Sequence, residues 1–174
     1  QVQIKKVRPW LRTDLEKLKT ACAVLEMAEK LMTDRGQNES FLALTRATLD
    51  RLENERRGSL LLLAFDIKAI AMSGFLPNLK ECVVCGSKGQ LSKLVPAEGG
   101  CVCEGCYSGQ VAVEADDKTK RLVDELIAIR MKELDKVAAD IETISLVRKL
   151  IWAHIVYHIH GNFKTRTPGG QIEQ

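Results

Sequence analysis

Five of the six cysteines fall within twenty-five residues, in CVVCGSKGQLSKLVPAEGGCVCEGC from Cys82 to Cys106. No other feature restricts the fold of this chain as much. A stretch this short and this rich in Gly, Lys and Ser builds no apolar core, so its sulfurs must hold it together. Two Cys-x-x-Cys pairs bracket it. One tight turn presents two sulfurs to one ion, and two such turns complete the tetrahedron that Zn²⁺ takes with thiolates. Cys82 and Cys85 form the first pair, and Gly86 permits the backbone angle that aims amides at sulfur. Cys103 and Cys106 form the second, with seventeen residues between Cys85 and Cys103, within the spacing of paired zinc knuckles. The expected site is therefore one structural Zn²⁺ on Cys82, Cys85, Cys103 and Cys106. Leu91, Leu94 and Val95 are expected in a short hairpin over it. Cys101 breaks the spacing and is expected to be spare, on a ladder or facing solvent.

Other cysteine chemistries fit less well. Closely spaced thiols in a helical, Lys- and Glu-rich chain point to a reducing compartment rather than to disulfides. A thioredoxin-type site needs a strand–helix–strand setting that is missing here. A zinc deaminase needs a His-x-Glu partner, and His154, His158 and His160 have none. Four closed thiolates also leave no open position for water, which makes the metal structural.

Around this segment the apolar residues recur at helical spacing. Thr13 with Glu16 reads as a capping box opening a helix that carries Leu15, Leu18, Cys22, Leu25 and Met32, with Gly36 as its stop. A second helix opens at Asn38 or Ser40, carries Phe41, Leu44, Thr48, Leu49 and Leu52, and stops near Gly58. A third spans 59–73, and its SLLLLAFDIKAIAM sequence is apolar on most sides, so it belongs in the core. Asp116 or Asp117 caps a fourth with Leu122, Leu126 and Ile129, and a last helix over 141–160 carries Ile144, Val147, Leu150, Ile151, Ile155 and Ile159. The fold class is mainly α: a helical bundle-like domain with a small inserted four-cysteine zinc module containing a short β-hairpin. Residues 1–11 read as a linker from a missing N-terminal domain. The helical domain takes 12–77 and 111–163, the module 78–110, and a flexible tail 164–174. No 18-residue apolar run exists, so no membrane partner is expected.

Charge separates the possible functions. Formal net charge is +3, and one Zn²⁺ on four thiolates brings it to about +1, so global charge does not argue for nucleic acid. Basic residues cluster locally at Lys5, Lys6 and Arg8, at Arg46, Arg51, Arg56 and Arg57, and at Lys164 and Arg166. With Tyr157 and His158 these are the candidate DNA- or partner-binding residues, since such patches suit phosphates or an acidic peptide. No Gly-rich phosphate loop, nucleophile elbow or paired-carboxylate constellation is present, so catalysis is not expected. A zinc-ribbon DNA-binding or transcription-type module is the alternative. It would concentrate basic charge on the module, where Lys80, Lys88 and Lys93 are instead balanced by Glu81, Glu98 and Glu104.

The runs FDIKAIAMSGFLPNLKECVVCG, AEGGCVCEGC and VYHIHGNFKTR together resemble the bacterial RecO DNA-repair family. The family segment G-[FY]-x-P-x-L-x-x-C-x-x-C-G falls on Gly74, Phe75, Pro77, Leu79, Cys82, Cys85 and Gly86, and its second half on Gly99, Gly100, Cys103 and Cys106. The resemblance implies a recombination mediator that binds single- and double-stranded DNA, anneals complementary strands and helps load the recombinase. It also implies contacts with RecR and with the acidic C-terminal tail of the single-stranded-DNA-binding protein, in the bacterial cytoplasm and associated with the nucleoid. The family's N-terminal OB-fold, which carries the stacking platform for single strands, is not among these residues. What remains is expected to act as a scaffold.

Overall fold

The structure is a computed structural model and describes residues 7–32, 38–167, 170 and 172. Lys5, Lys6 and Gly36 lie outside the described residues. The architecture turns on α3 (Gly58–Met72), in which every residue from Leu60 to Ile67 is buried. Each large apolar side chain so buried contributes about 1.5–3 kcal/mol. Against α3 pack α1 (Leu15–Leu31), α2 (Asn38–Leu52), α4 (Asp117–Ala128) and α5 (Ile141–His158). The helices wrap one core, and the cysteine segment is inserted between α3 and α4. The fold is mainly α, as expected.

Aspartates open three of these helices. Asp14, Asp116 and Asp140 accept from the amides of Lys17, Thr119 and Thr143 at 3.0, 2.8 and 2.7 Å, satisfying donors that have no intrahelical partner. The cap of α1 is thus Asp14 and not Thr13. A short 3₁₀ turn over Pro9–Arg12 leaves Thr13 near helical angles, and its hydroxyl donates to the Trp10 carbonyl at 3.1 Å. Asp14 is the first residue with the extended backbone a cap requires.

The face of α1 is the larger correction. Leu15, Leu18, Cys22 and Leu25 form the apolar stripe that helical spacing picks out, but Leu15, Leu18 and Leu25 are 63%, 39% and 51% exposed and Cys22 is exposed too. The buried face carries Thr20, Ala21, Ala23, Val24, Met27 and Ala28. Small side chains let two helix axes approach closely, and the broad apolar wall of α3 selects that face over the leucine stripe. α2 also stops at Leu52, short of Gly58. There the Glu55 carboxylate accepts from Arg51 Nε at 3.0 Å and from the Arg56 and Arg57 amides at 3.0 and 2.9 Å, turning the chain toward α3.

The tail departs from expectation as well. Phe163 packs edge-on to Trp152 with ring centres 4.7 Å apart. The amides of Lys164 and Thr165 donate to the Glu26 carboxylate at 2.6 and 3.1 Å. Arg166 is buried, with Nη2 donating to Asp66 Oδ1 at 2.8 Å and Nη1 to Oδ2. Residues 163–167 therefore form a strap across α1, α3 and α5 rather than a loose end. A carboxylate buried in the core helix demands a cation, and the strap delivers it.

Candidate metal centre

Between α3 and α4 the chain forms a three-stranded antiparallel sheet in the order β2-β1-β3: β1 (Lys93–Val95), β2 (Gly100–Val102) and β3 (Val113–Glu114). Leu94 stands opposite Cys101 on one side and Val113 on the other. The hairpin expected over the site is β1–β2, and β3 comes from beyond residue 110. The segment leading to Cys82 is stitched to this hairpin. Asn78 N–H donates to Gly99 O at 3.1 Å, Cys101 N–H to Asn78 O at 2.7 Å, and Val83 N–H to Cys101 O at 3.0 Å. The approach is so close that a Cβ on Gly100 would lie 2.5 Å from the Asn78 carbonyl, which only glycine avoids.

This stitching carries Cys82 and Cys85 to Cys103 and Cys106. Their four Sγ atoms lie within 4.8 Å of one another, and Cys85 Sγ is 3.7 Å from Cys103 Sγ. A tetrahedron of thiolates about 2.3 Å from a central ion has edges of about 3.8 Å, so the donor set fits a tetrahedral metal. Gly86, at φ +74°, closes the first knuckle, its N–H donating to Cys82 O at 2.8 Å. The Cys103 amide reaches Cys82 Sγ at 3.4 Å. That amide, with those of Cys85 and Val84, pulls the Cys82 thiol down to about 6. The Cys106 thiol is pushed up to about 12, because it hydrogen-bonds to the sulfurs of Cys103 and Cys85 and loses those bonds on ionising. A thiol must lose its proton to ligate a metal, so binding at such a set would release protons.

Cys101 takes no part in the cluster. It lies on the ladder as expected but is fully buried rather than solvent-facing, and burial pushes its thiol up. The histidines serve the module in another way. His154 Nε2–H donates to Phe75 O and His158 Nε2–H to Pro96 O, both at 2.8 Å, pinning the module to α5. Burial, then the neighbouring His158, pushes His154 down to about 4, so it is neutral at physiological pH. Periodicity placed both imidazoles on α5 but could not show that their acceptors lie some sixty and eighty residues away.

The candidate basic residues divide sharply. Arg8 pairs with Asp50 at 2.7 Å. Arg51 pairs with Glu55 and with Asp135, at 3.0 and 3.3 Å. Arg57 donates to the Leu134 and Val137 carbonyls at 2.8 and 2.9 Å, capping a 3₁₀ turn over Met131–Lys136. Arg166 is buried on Asp66 and is not available to a partner. Arg46, Arg56, Lys164 and Tyr157 remain exposed. The structure does not gather the whole set into one surface. One cation that sequence reasoning passed over, Arg148, stands half-buried on α5 amid an apolar run.

A helical unit with four clustered cysteines able to hold one metal ion, pinned by backbone and imidazole bonds, is the class that fold and site define. Residues 12–167 match the family described as Recombination protein O C terminal, and the chain belongs to that RecO family. Among curated relatives, the DNA repair protein RecO of Oceanobacillus iheyensis is 27% identical over 155 residues, covering 88% of this chain and 59% of the relative. That of Alkaliphilus metalliredigens is 26% identical over 162 residues, covering 91% and 66%. That of Caldanaerobacter subterraneus is 23% identical over 158 residues, covering 90% and 64%. The chain thus spans about three-fifths to two-thirds of the length of these relatives. No described helix is long and apolar enough to cross a membrane.

Proposed function

We propose that this chain is the helical, zinc-stapled part of a non-catalytic DNA-repair and recombination mediator. One Zn²⁺ on Cys82, Cys85, Cys103 and Cys106 holds the module, and the helices present surfaces to single- and double-stranded DNA, to RecR and to the acidic tail of the single-stranded-DNA-binding protein. Its place is the bacterial cytoplasm, at the nucleoid. The observation that carries this reading is the closed tetrathiolate set, built into a helical unit that matches the family over residues 12–167. The exposed cations Arg46, Arg56 and Lys164, with Tyr157, are the retained partner contacts. Lys5 and Lys6 stay in the candidate set from sequence alone. Such contacts steer an acidic partner more than they hold it, so the binding should weaken with salt.

The test is fluorescence anisotropy of the acidic C-terminal peptide of the cognate single-stranded-DNA-binding protein, titrated with the zinc-loaded chain. A scrambled peptide of equal charge is the control. Saturable binding that the scramble lacks supports the mediator reading. Equal binding of both peptides, or none, removes the acidic tail from the partners.

A further inference from the structure

We propose that the cleft between α1, α3 and α5 is a phosphate site that takes one phosphodiester of a single-stranded nucleic acid, with Arg148 as its central ligand. The inference rests on the nucleic-acid part of the function proposed above and names a place for it. The cleft is open and measures about 1150 Å³, and Lys17, Arg56, Arg57 and Arg148 supply its cations. Two of these are committed elsewhere. Lys17 Nζ donates to the Glu53 carbonyl at 2.5 Å, and Arg57 is held by the Leu134 and Val137 carbonyls. Arg56 and Arg148 make no side-chain hydrogen bond among the described residues.

Arg148 is the informative one. It is half-buried and within electrostatic reach of Asp66, whose two oxygens are already taken by Arg166. Burial pulls the Arg148 guanidinium down, and the charge of Asp66 works against that pull. A guanidinium carries five donors in a planar fork, and those of Arg148 have no hydrogen-bond acceptor among the described residues. An entering oxyanion would supply the missing acceptor. Gly58 and Ser59 line the same cleft, and their amides open α3, where no intrahelical acceptor exists.

Three carboxylates line the same cleft, and each is already engaged by the protein. Glu55 is satisfied by Arg51 and two amides, and Asp14 caps α1. Glu16, at the rim, lies 3.4 Å from Lys19. Arg148 and the two amides line the cleft from different elements, α5 and the start of α3, and a tetrahedral phosphate can accept from more than one direction. A concave site of this size admits a flexible strand that can turn one phosphate inward. A duplex presents its phosphates on a convex rod.

The test uses the full zinc-loaded chain and a fluorescent oligothymidylate, with anisotropy read over a range of salt. Arg148→Gln should weaken strand binding about tenfold and reduce the salt slope by about one. Lys132→Gln removes the same charge from an exposed position outside the cleft and should change affinity less than about twofold. Arg148→Lys keeps the charge without the fork and should recover only part of the loss. Melting curves of each variant show whether the fold is intact. Inorganic phosphate as competitor separates a free-anion site from a strand site: displacement of the strand at equal phosphate concentration overturns the choice of strand. Equal weakening by Arg148→Gln and Lys132→Gln overturns the site and leaves DNA binding itself standing. If an acidic peptide, and not the strand, loses affinity in Arg148→Gln, the cleft is a carboxylate site and the proposal is wrong. A wild-type chain that binds no strand at all fails the DNA reading and this site with it.

Discussion

Around α3 every side chain from Leu60 to Ile67 is buried, whereas residues 84–90 of the first cysteine knuckle are all exposed. The helical unit excludes water from a shared apolar core. The knuckle has no interior to exclude water from, and after Val83 its next apolar anchor is Leu91. The two regions therefore answer to different forces, one set by burial and the other, on the proposed reading, by coordination. They meet where His154 and His158 hold the Phe75 and Pro96 carbonyls.

The largest expected effect separates the two. Structural zinc contributes roughly 10–16 kcal/mol in small modules, so stripping the metal with a chelator should release residues 82–90 to rapid hydrogen exchange. Amides of α3 should keep their protection. Phe65→Ala should do the converse, lowering the unfolding free energy by about 3–5 kcal/mol while one metal per chain is retained. If chelation exposes α3 together with the knuckle, the two regions form one cooperative unit and the contrast fails.

A smaller effect divides the two cysteines outside the clamp. Cys101→Ser puts a hydroxyl into a fully buried site and should cost about 1–3 kcal/mol, with the metal stoichiometry unchanged. Cys22→Ser, on an exposed face, should fall within about 0.5 kcal/mol of the parent. Urea melts with metal analysis on the same samples read both. Metal loss in Cys101→Ser would reassign the ligands.

The smallest concerns the strap. Burial disfavours the charged Glu26 carboxylate, but the Lys164 amide and then the Thr165 hydroxyl and amide outweigh it and hold its pKa below the ordinary 4.5. A depressed carboxylate stabilises the fold above its unfolded value, and that contribution is lost as pH falls through the folded value. The strap should therefore hold at neutral pH and loosen only on acidification below about 4.5. Glu26→Gln should remove about 1 kcal/mol at pH 7 and flatten this acid dependence. An unchanged acid limb in Glu26→Gln would assign it to other carboxylates.

The cysteine clamp was legible in the chain because its information is local. Spacing within each Cys-x-x-Cys pair sets which sulfurs one turn can present, and Cys101 fell outside that rule. The core helix was legible for a related reason, since a run that is apolar all round has only one place to go. α1 was misread because Leu15, Leu18, Cys22 and Leu25 make as regular a stripe as any buried face, and periodicity does not record which stripe meets a neighbour. Of the basic residues, Arg8, Arg51, Arg57 and Arg166 are engaged within the fold. Sequence shows a charge but not whether Asp66 or a carbonyl eighty residues away already holds it.

The amino-acid sequence by itself determined the helical class, the position of the inserted module and the four sulfurs that close it, because helical periodicity and the spacing inside each Cys-x-x-Cys pair are local. Only the tertiary structure decided which face of α1 is core and that Arg166 straps the end of the chain to Asp66. It also decided that Arg148 is left half-buried with no hydrogen-bond acceptor among the described residues. Those outcomes depend on which groups far apart in the chain come to share one low-dielectric space, where an apolar face must be covered and a charge must be matched.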